Sequence, residues 1–371
     1  MFNVLADRHI NDLQDALNPD ATCITYDPVT GPGPDQLCKA DALLVRTVTR
    51  VDSQLLDQAP QLKFVGTASV GTDHINLGEL KSRGIQFASS PGCNAHSVAE
   101  YVATAILLWC EKRKKSPQKL SAGIVGVGNA GSEVKALLSR IGIRTYGYDP
   151  PRQKRTPEFT SAGLMDILSC DILSLHLPLN PSGEDATHHW LDDNKINTSS
   201  AQLFINSARG GIAHEPGLLE ALKSRGSDFI LDVWNNEPVF DDDIASTAFL
   251  ATPHIAGYSK KSKLKATQIV CNALNEYLSL SKPGVDRKGI PNKIINLKHA
   301  NSLESVLTQI HPIKRYDQQL RLLFGLPPDE KAIQFGRLRN DTPLRDEFTN
   351  IRLPQDIIKQ FPILKKLGIR S

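Results

Sequence analysis

The sequence predicts an α/β protein with two doubly wound parallel-sheet domains, of Rossmann or flavodoxin-like type, and a small C-terminal α+β domain. Short apolar β-like runs alternate with helical patterns in two series, which is typical of parallel sheets covered by helices. A glycine-rich turn follows the first run of the second series, as in a nucleotide-binding domain. After about residue 285 the chain becomes mixed polar and apolar and is broken by prolines.

The predicted strands fall into two groups. The first comprises residues 3–6, 23–26, 42–45, 64–67 and 85–88, and the second comprises residues 122–127, 145–148, 172–176, 202–206, 229–233 and 249–251. A stretch rich in glycine, proline and charge at residues 283–291 predicts a linker before the C-terminal segment. Ligands of doubly wound sheets bind at the carboxyl ends of the strands. The polar residues that follow these runs are therefore candidates for one crevice: His176, Ser207, Arg209, Asp232 and His254.

Composition sets limits on the class of protein. A chain of 371 residues with 40% hydrophobic content is long enough for two or three domains. The net charge is only +3 and charges of both signs are interspersed, so we expect no nucleic-acid or membrane partner. The six cysteines lie far apart without a C-x-x-C pair, which predicts neither a disulfide framework nor a zinc site. Residues 1–12 lack the apolar core of a secretory signal, and we expect a cytoplasmic protein.

The glycine-rich turn has the spacing G-x-G-x-x-G at Gly126, Gly128 and Gly131. An apolar run precedes it and a helical pattern follows, which is the context of a dinucleotide-binding fingerprint. The first glycine would allow the tight turn, the second the approach of the pyrophosphate and the third the close contact of helix and strand. The pattern therefore predicts a nicotinamide dinucleotide cofactor.

Asp149 bears on whether the cofactor is NAD or NADP. It ends the next apolar run, where an acid would accept hydrogen bonds from the adenosine ribose and repel a 2′-phosphate. Arg152, Lys154 and Arg155 follow and are of the charge that attracts a phosphate. Because residues 150 and 151 are prolines, we interpret these basic residues as solvated on a chain that turns away, and predict NAD over NADP.

Three groups downstream of the fingerprint could carry out hydride transfer chemistry. His254 can move a proton, Glu237 can hold the imidazole as its cation, and Arg209 can bind a carboxylate with two parallel hydrogen bonds. Taken singly, each is also compatible with an ordinary loop or surface residue. Two adjacent histidines, His188 and His189, lack a third ligand at suitable spacing, so no metal is predicted.

Four ordered motifs, at residues 126–131, 206–210, 232–238 and 252–257, resemble those of the D-isomer-specific 2-hydroxyacid dehydrogenases. The resemblance implies a substrate domain of residues 1–95 and 256–285, an NAD-binding domain of residues 96–255, and a C-terminal dimerisation domain of residues 286–371 in a homodimer.

The same resemblance implies roles for individual residues. Arg209, Glu237 and His254 would be catalytic, with His254 as proton acceptor and donor. Substrate contacts would come from Arg46, Thr47, Ser69 and Tyr258. The cofactor would be bound by Gly126, Gly128, Asn129, Ala130, Gly131, Asp149, His176, Ser207, Ala208, Asp232 and Gly257.

Residues 42–49, 64–74, 90–95 and 254–258, and more loosely the tail, resemble family members that act in pyridoxal 5′-phosphate biosynthesis. These oxidise 4-phospho-D-erythronate to 2-oxo-3-hydroxy-4-phosphobutanoate. Two alternatives remain: a dehydrogenase of another D-2-hydroxy acid such as 3-phosphoglycerate, and an NAD-sensing scaffold that binds partner proteins. A further hypothesis is that a basic residue of the tail, Arg345 or a neighbour, completes a site for the substrate phosphate in a dimer.

Overall fold

The computed structural model describes residues 2–279 and 290–371. It divides the chain into two compact units, which we call the first unit (Met1–Asn94 with Lys260–Ile290) and the second unit (Ala95–Ser259 with Pro291–Ser371). The predicted boundary at residues 285/286 and most of the predicted linker lie outside the described residues. The described C-terminal segment is grouped with the second unit, and its assignment as a separate dimerisation domain stays a prediction.

The first unit contains a five-stranded parallel sheet in the order β2-β1-β3-β4-β5. Its elements up to residue 94 are β1 Phe2–Asp7, α1 Leu13–Ala16, β2 Ala21–Tyr26, α2 Pro34–Leu37, β3 Ala42–Val45, α3 Ser53–Leu56, β4 Phe64–Thr67, α4 Leu77–Ser82 and β5 Gln86–Ala88. β3 and β4 are buried along their whole length, as expected for strands covered by helices on both faces. All five predicted strands are confirmed.

The second unit contains a six-stranded parallel sheet in the order β11-β10-β9-β8-β6-β7. Its elements are α5 Ala95–Arg113, β6 Ser121–Val125, α6 Asn129–Ile141, β7 Arg144–Tyr148, α7 Pro150–Arg155, α8 Leu164–Leu168, β8 Ile172–Leu175, α9 Asp193–Thr198, β9 Leu203–Asn206, α10 Glu215–Arg225, β10 Asp228–Leu231, α11 Asp242–Thr247 and β11 Leu250–Ala251. The predicted doubly wound α/β architecture is confirmed.

The register of this sheet aligns the carboxyl ends of its strands in a single row. The paired residues at that edge run across the sheet as Tyr148, Val125, Leu175, Asn206, Leu231 and Ala251. The residue that follows each of them is Asp149, Gly126, His176, Ser207, Asp232 and Thr252. Five of these six were predicted from the sequence as binding residues, and the common register explains why they share one edge.

The chain then returns to the first unit as α12 Lys260–Tyr277, which packs on β4. Gly66 allows this contact, because a methyl group at its Cα would overlap the side chain of Val270. The remaining described elements are β12 Lys293–Ile294, α13 Leu303–Ile310, α14 Ile313–Arg321, α15 Pro328–Asp341, β13 Ile351–Arg352, α16 Gln355–Gln360 and α17 Ile363–Leu367. β12 and β13 form a small parallel sheet, in agreement with the predicted α+β character of the tail.

No helix within residues 2–279 and 290–371 has both the length and the apolar character needed to cross a membrane. All six cysteines are free thiols, and four of them are buried.

Candidate active site

His254 and Glu237 form a close pair in the second unit. The Nδ1 atom of His254 lies 2.8 Å from Oε1 and 3.0 Å from Oε2 of Glu237. Burial alone would raise the pKa of Glu237, but the charge and hydrogen bond of His254, together with Arg339, outweigh it and lower the pKa. The carboxylate therefore engages one imidazole nitrogen and leaves Nε2 as the nitrogen for proton exchange with a ligand.

A buried carboxylate shapes the turn that presents His254. Asp232 follows β10, and its Oδ1 accepts hydrogen bonds from the Thr252 hydroxyl at 2.6 Å and the Ile255 amide at 2.8 Å, while Oδ2 accepts from the Ala256 amide at 2.8 Å. His254 itself has a φ of 57°. A non-glycine residue in this left-handed region needs support from its surroundings, and the Asp232 contacts supply it.

Arg209 lies in a turn that packs against the segment leading to Glu237. Asn206, at the end of β9, donates from its side-chain amide to the Arg209 carbonyl at 2.9 Å. A methyl group on Gly210 would overlap the carbonyl of Trp234, so only glycine permits this approach. The same segment is fixed by Glu215, whose carboxylate accepts the Asn235 amide at 2.6 Å. Sequence reasoning missed Glu215, although it is the first residue of α10 and lies six positions after Arg209.

The glycine-rich turn fits the pyrophosphate of a dinucleotide. Gly126 has a φ of 83°, and a methyl group on Gly131 would overlap the Gly126 carbonyl. At Gly128, by contrast, a methyl group would meet nothing within 4 Å. The backbone of the turn is thus tightly packed between Gly126 and Gly131 and leaves space at Gly128. Helix α6 begins at the next residue, Asn129, and its first amide groups could donate hydrogen bonds to a phosphate.

Asp149 is held against the glycine-rich turn. Its Oδ2 accepts the Val127 amide at 2.8 Å, and its Oδ1 accepts the Arg152 amide at 2.9 Å as the N-cap of α7. A carboxylate has about four acceptor positions, so capacity remains for ribose hydroxyls.

The interpretation of Arg152 as a solvated residue is wrong. Residues 150 and 151 begin helix α7, because proline is well suited to the first turn of a helix. The Arg152 guanidinium folds back to the Val127 carbonyl and the Ser132 hydroxyl and stacks over Phe159, with 4.5 Å to the ring centroid. Lys154 and Arg155 are exposed, as expected.

Two buried polar atoms in residues that directly follow strands of this sheet have no hydrogen-bond partner among the described residues, His176 Nδ1 and Ser207 Oγ. Burial lowers the pKa of His176 to about 3, so its ring is neutral, and its Nε2 lies 2.9 Å from the Ser174 hydroxyl. Polar atoms buried without partners are rare in folded proteins. They mark a surface that a polar ligand would complete, and this supports the fit to the dinucleotide.

The other predicted cofactor residues belong to the same edge. Ala130 lies in the first turn of α6 behind the glycine-rich turn, Ala208 directly follows Ser207, and Gly257 lies beyond the His254 turn.

The predicted substrate residues of the first unit lie together at one sheet edge. Val45 pairs with Thr67 across β3 and β4, and Thr47 and Ser69 each lie two residues beyond this pair. The Ser69 hydroxyl donates to the Gly71 carbonyl at 2.9 Å.

Arg46 lies at the same edge and already forms an ion pair within the protein. Its Nε lies 2.9 Å from the fully buried carboxylate of Asp7. The positive charge that sequence analysis assigned to a substrate anion is therefore largely balanced within the protein.

The tail contributes a residue that sequence analysis missed. Arg339, in the last turn of α15, reaches Glu237 of the close pair: its NH1 lies 3.4 Å from Glu237 Oε1 and its NH2 lies 3.4 Å from the hydroxyl of Tyr258. No local signal points to it, since 85 residues separate it from His254 in the sequence.

Arg345 does not occupy a ligand site. It is 7% exposed, its guanidinium pairs with the buried carboxylate of Glu100 in α5, and its NH2 donates to the Ser97 carbonyl at 3.1 Å. These contacts use the charge of Arg345 within the chain and argue against its binding the substrate phosphate, and a site completed by a neighbour in a dimer stays a prediction.

The histidines considered for a metal have a third imidazole nearby. His188 and His189 stack with ring centroids 4.0 Å apart, and His214 lies 5.1 Å from His189. Within the described residues, however, three potential ligand atoms come within 4.8 Å of one another at His96, Glu100 and Glu347. The cation of Arg345 already neutralises Glu100 there.

The fold and the fingerprint define a class of protein. Residues 102–256 match the family model described as the NAD binding domain of the D-isomer specific 2-hydroxyacid dehydrogenases. A D-lactate dehydrogenase from Aquifex aeolicus, solved with NAD and lactic acid, superposes with a TM-score of 0.61 at 25% identity, covering 75% of this chain and 95% of that one. The match to the NAD-binding domain lies within the second unit, and the chain is an NAD-dependent dehydrogenase.

More similar relatives narrow the class. An erythronate-4-phosphate dehydrogenase from Marinobacter nauticus is 40% identical over 334 residues, 86% of each chain. One from Bacteroides fragilis is 33% identical over 353 residues, 93% of this chain and 97% of the relative. The chain belongs to the erythronate-4-phosphate dehydrogenase family.

Proposed function

We propose that this protein oxidises 4-phospho-D-erythronate to 2-oxo-3-hydroxy-4-phosphobutanoate with NAD, in the biosynthesis of pyridoxal 5′-phosphate. The observation that carries the proposal is the paired His254 and Glu237 at the edge that also bears the glycine-rich turn. The relatives that match most of the chain bear the name of this activity.

In the proposed reaction, His254 Nε2 takes the proton of the C2 hydroxyl as the C2 hydride leaves. Glu237 stabilises the imidazolium that forms, because its carboxylate faces Nδ1. Arg209 binds the substrate carboxylate with two hydrogen bonds and polarises the oxygen that becomes the carbonyl. NAD, when bound, supplies the hydride acceptor. Gly126, Gly128, Asn129, Ala130, Gly131, Asp149, His176, Ser207, Ala208, Asp232 and Gly257 would hold it.

We also propose that Arg46, Thr47, Ser69 and Tyr258 contact the substrate, with the charge of Arg46 largely balanced by Asp7. Their support is position: Thr47 and Ser69 lie at a strand-end edge, and Tyr258 follows the His254 turn. Replacing Ser69 with Ala should raise KM while leaving NADH affinity unchanged, and a loss of NADH affinity would count against the assignment.

We propose a cytoplasmic homodimer formed through residues 286–371. Free cysteines support the compartment, since reduced thiols are typical of the cytosol. Light scattering of the full chain at micromolar concentration should give twice the 40.7 kDa chain mass. A monomer at that concentration would contradict the dimer and leave the reaction untouched.

The function is tested by NADH formation with 4-phosphoerythronate, 3-phosphoglycerate and D-lactate, and by NADH loss when 2-oxo acids are added to recycle tightly held NADH. Strong preference for 4-phosphoerythronate is the expected result. Preference for another acid would retain the chemistry and discard the substrate. Binding of NADH without turnover of any acid would favour the scaffold alternative.

A further inference from the structure

Arg339 is an unusual residue for the tail of this chain, because its guanidinium is largely buried beside the proposed catalytic pair. Its side chain is 19% exposed, as is that of Glu237. Ordering a long arginine side chain in such a place costs conformational entropy, so its contacts should compensate.

The contacts within the protein do not use its full capacity. Both printed hydrogen bonds are 3.4 Å long, whereas charge-assisted N–H···O bonds are usually about 2.7–2.9 Å. Its Nε is buried and has no hydrogen-bond partner among the described residues. A guanidinium offers five N–H donors, so several remain for an anion.

The charges around Arg339 bear on which anionic group of the substrate it could bind. Glu237 already has His254 as a cationic partner when the imidazole is protonated, so Arg339 adds a second positive group to one carboxylate. When the imidazole is protonated, the two cations outnumber the one carboxylate charge of Glu237 and leave net positive charge among these three side chains. Since Arg209 is proposed for the substrate carboxylate, the group still to be bound is the phosphate.

Other basic residues considered for that phosphate are engaged elsewhere. Arg345 is buried against Glu100, and Arg46 is paired with Asp7. Arg339 instead lies next to the hydroxyl of Tyr258, which can donate to the same phosphate oxygen.

We propose that Arg339 binds the phosphate group of the substrate, together with the Tyr258 hydroxyl, and thereby selects phosphorylated hydroxy acids. This inference rests on the proposed function for the identity of the substrate. A planar guanidinium suits the task because it binds phosphate oxygens in pairs, which a lysine cannot do.

The test compares the full-length protein with its Arg339→Gln variant on 4-phosphoerythronate and on D-erythronate, which lacks the phosphate. Losing hydrogen bonds to a charged group should raise KM for 4-phosphoerythronate by roughly 10- to 150-fold. The kcat/KM for D-erythronate should fall by a clearly smaller factor, because that substrate has no phosphate and the variant loses only the effect of Arg339 on Glu237. Arg339→Lys should recover part of the affinity, because charge is kept and the paired geometry is lost.

Arg337 provides a matched control on the same helix. It is exposed, and Arg337→Gln should behave like the unmodified protein. NADH binding and thermal melting of every variant report whether the fold is intact.

Two outcomes would overturn the inference. An unchanged KM for 4-phosphoerythronate would remove Arg339 from phosphate binding. An equal loss of kcat/KM on both acids, with a shifted pH profile, would show that Arg339 acts through Glu237.

Binding of inorganic phosphate to the NADH complex, measured by calorimetry, separates this inference from the proposed function. Binding that Arg339→Gln abolishes supports the anion site even if the protein fails to oxidise 4-phosphoerythronate. Oxidation of 4-phosphoerythronate together with phosphate binding that the variant leaves unchanged would reject the site and keep the function.

Discussion

At the scale of single residues, the candidate site depends on a few carboxylates with different environments. Glu237 faces a histidine and an arginine, and its pKa is lowered. Asp232 is fully buried and its pKa is raised by burial, yet three donors hold it in place around the His254 turn. Each carboxylate thus has a distinct task, one beside the imidazole and one in the backbone turn that presents it.

We expect replacement of His254 with Ala to reduce turnover by roughly 10²- to 10⁴-fold, because a positioned general base contributes about that factor. NADH affinity should be nearly unchanged, since the change removes no predicted cofactor contact. His299 is exposed and serves as the control, as His299→Ala should retain full activity. Normal turnover in His254→Ala would exclude this residue as the proton acceptor.

Glu215 should make stability depend on pH. Burial raises its pKa from about 4.5 to about 7, against the hydrogen bond from the Asn235 amide. Between these two pH values the folded protein keeps a proton that the unfolded chain has released. The contribution of Glu215 to the free energy of unfolding is therefore fully present below about pH 4.5. As the pH rises towards 7, this contribution is lost and the free energy of unfolding falls by about 3 kcal/mol.

The measurement is the free energy of unfolding from pH 4.5 to 8 for the protein and for Glu215→Gln. The variant should lack the decline that this carboxyl causes, because Gln does not titrate. Glu220→Gln, exposed on the same helix, should keep it. If the free energies of unfolding of the protein and of Glu215→Gln change with pH in parallel, the raised pKa of Glu215 is refuted.

At the scale of elements, the strand ends and the turns that follow them position the candidate site. The glycine-rich turn shows how sequence and packing combine. Its three glycines are equivalent in the motif but not in the structure, because Gly131 is closed by the Gly126 carbonyl and Gly128 is open. We expect substitutions at these two positions to separate folding from cofactor binding.

Gly131→Ala should lower the free energy of unfolding by about 1–3 kcal/mol, since α6 must move away from the turn. Gly128→Ala should leave it within about 0.5 kcal/mol, as its methyl group meets no atom of the protein. It should nevertheless weaken NADH binding by roughly tenfold or more, because lost hydrogen bonds to a charged group are worth about 1.5–3 kcal/mol. Gly336→Ala, in the interior of α15, is the control for NADH affinity and should raise the free energy of unfolding by about 0.5–1 kcal/mol. Unchanged NADH affinity in Gly128→Ala would contradict the predicted pyrophosphate position.

At the scale of the whole molecule, the tail is part of the second unit rather than an appendage. Asp317 accepts the Ala251 amide of the edge strand β11 at 2.8 Å. Arg345 pairs with Glu100, which also accepts the Phe348 amide at 2.7 Å. Apolar residues of α13, α16 and α17 share a core with α5. The stability of the NAD-binding unit should therefore depend on residues more than 200 positions away in the sequence.

Arg345→Met should lower the free energy of unfolding by about 3–5 kcal/mol, because it leaves the buried Glu100 carboxylate without its cation. Combining it with Glu100→Gln should recover most of the loss, since the amide can still accept the Phe348 amide. The exposed Arg337→Met is the control. Additive effects in the double variant, measured by denaturant unfolding, would show that the two side chains are not coupled.

Much of the architecture could be predicted because it is encoded locally. Strand positions follow from apolar runs, and parallel pairing places the residues after each run at one edge, which is why Asp149, His176 and Ser207 could be named in advance. Arg152 was misinterpreted because two consecutive prolines are compatible both with a turn and with the start of a helix. Arg339 was missed because only packing brings α15 to Glu237.

The sequence by itself determined the fold class, the dinucleotide fingerprint and the identity of the candidate catalytic groups, since each depends on periodicity or on spacing over a few residues. Tertiary structure alone decided which basic side chains are engaged in the protein and which face the candidate site. Arg345 and Arg339 are six positions apart and carry the same charge, yet one is neutralised by Glu100 and the other lies beside Glu237 of the candidate site. The physical reason is that charge pairing depends on distance in space, which the order of residues along the chain does not contain.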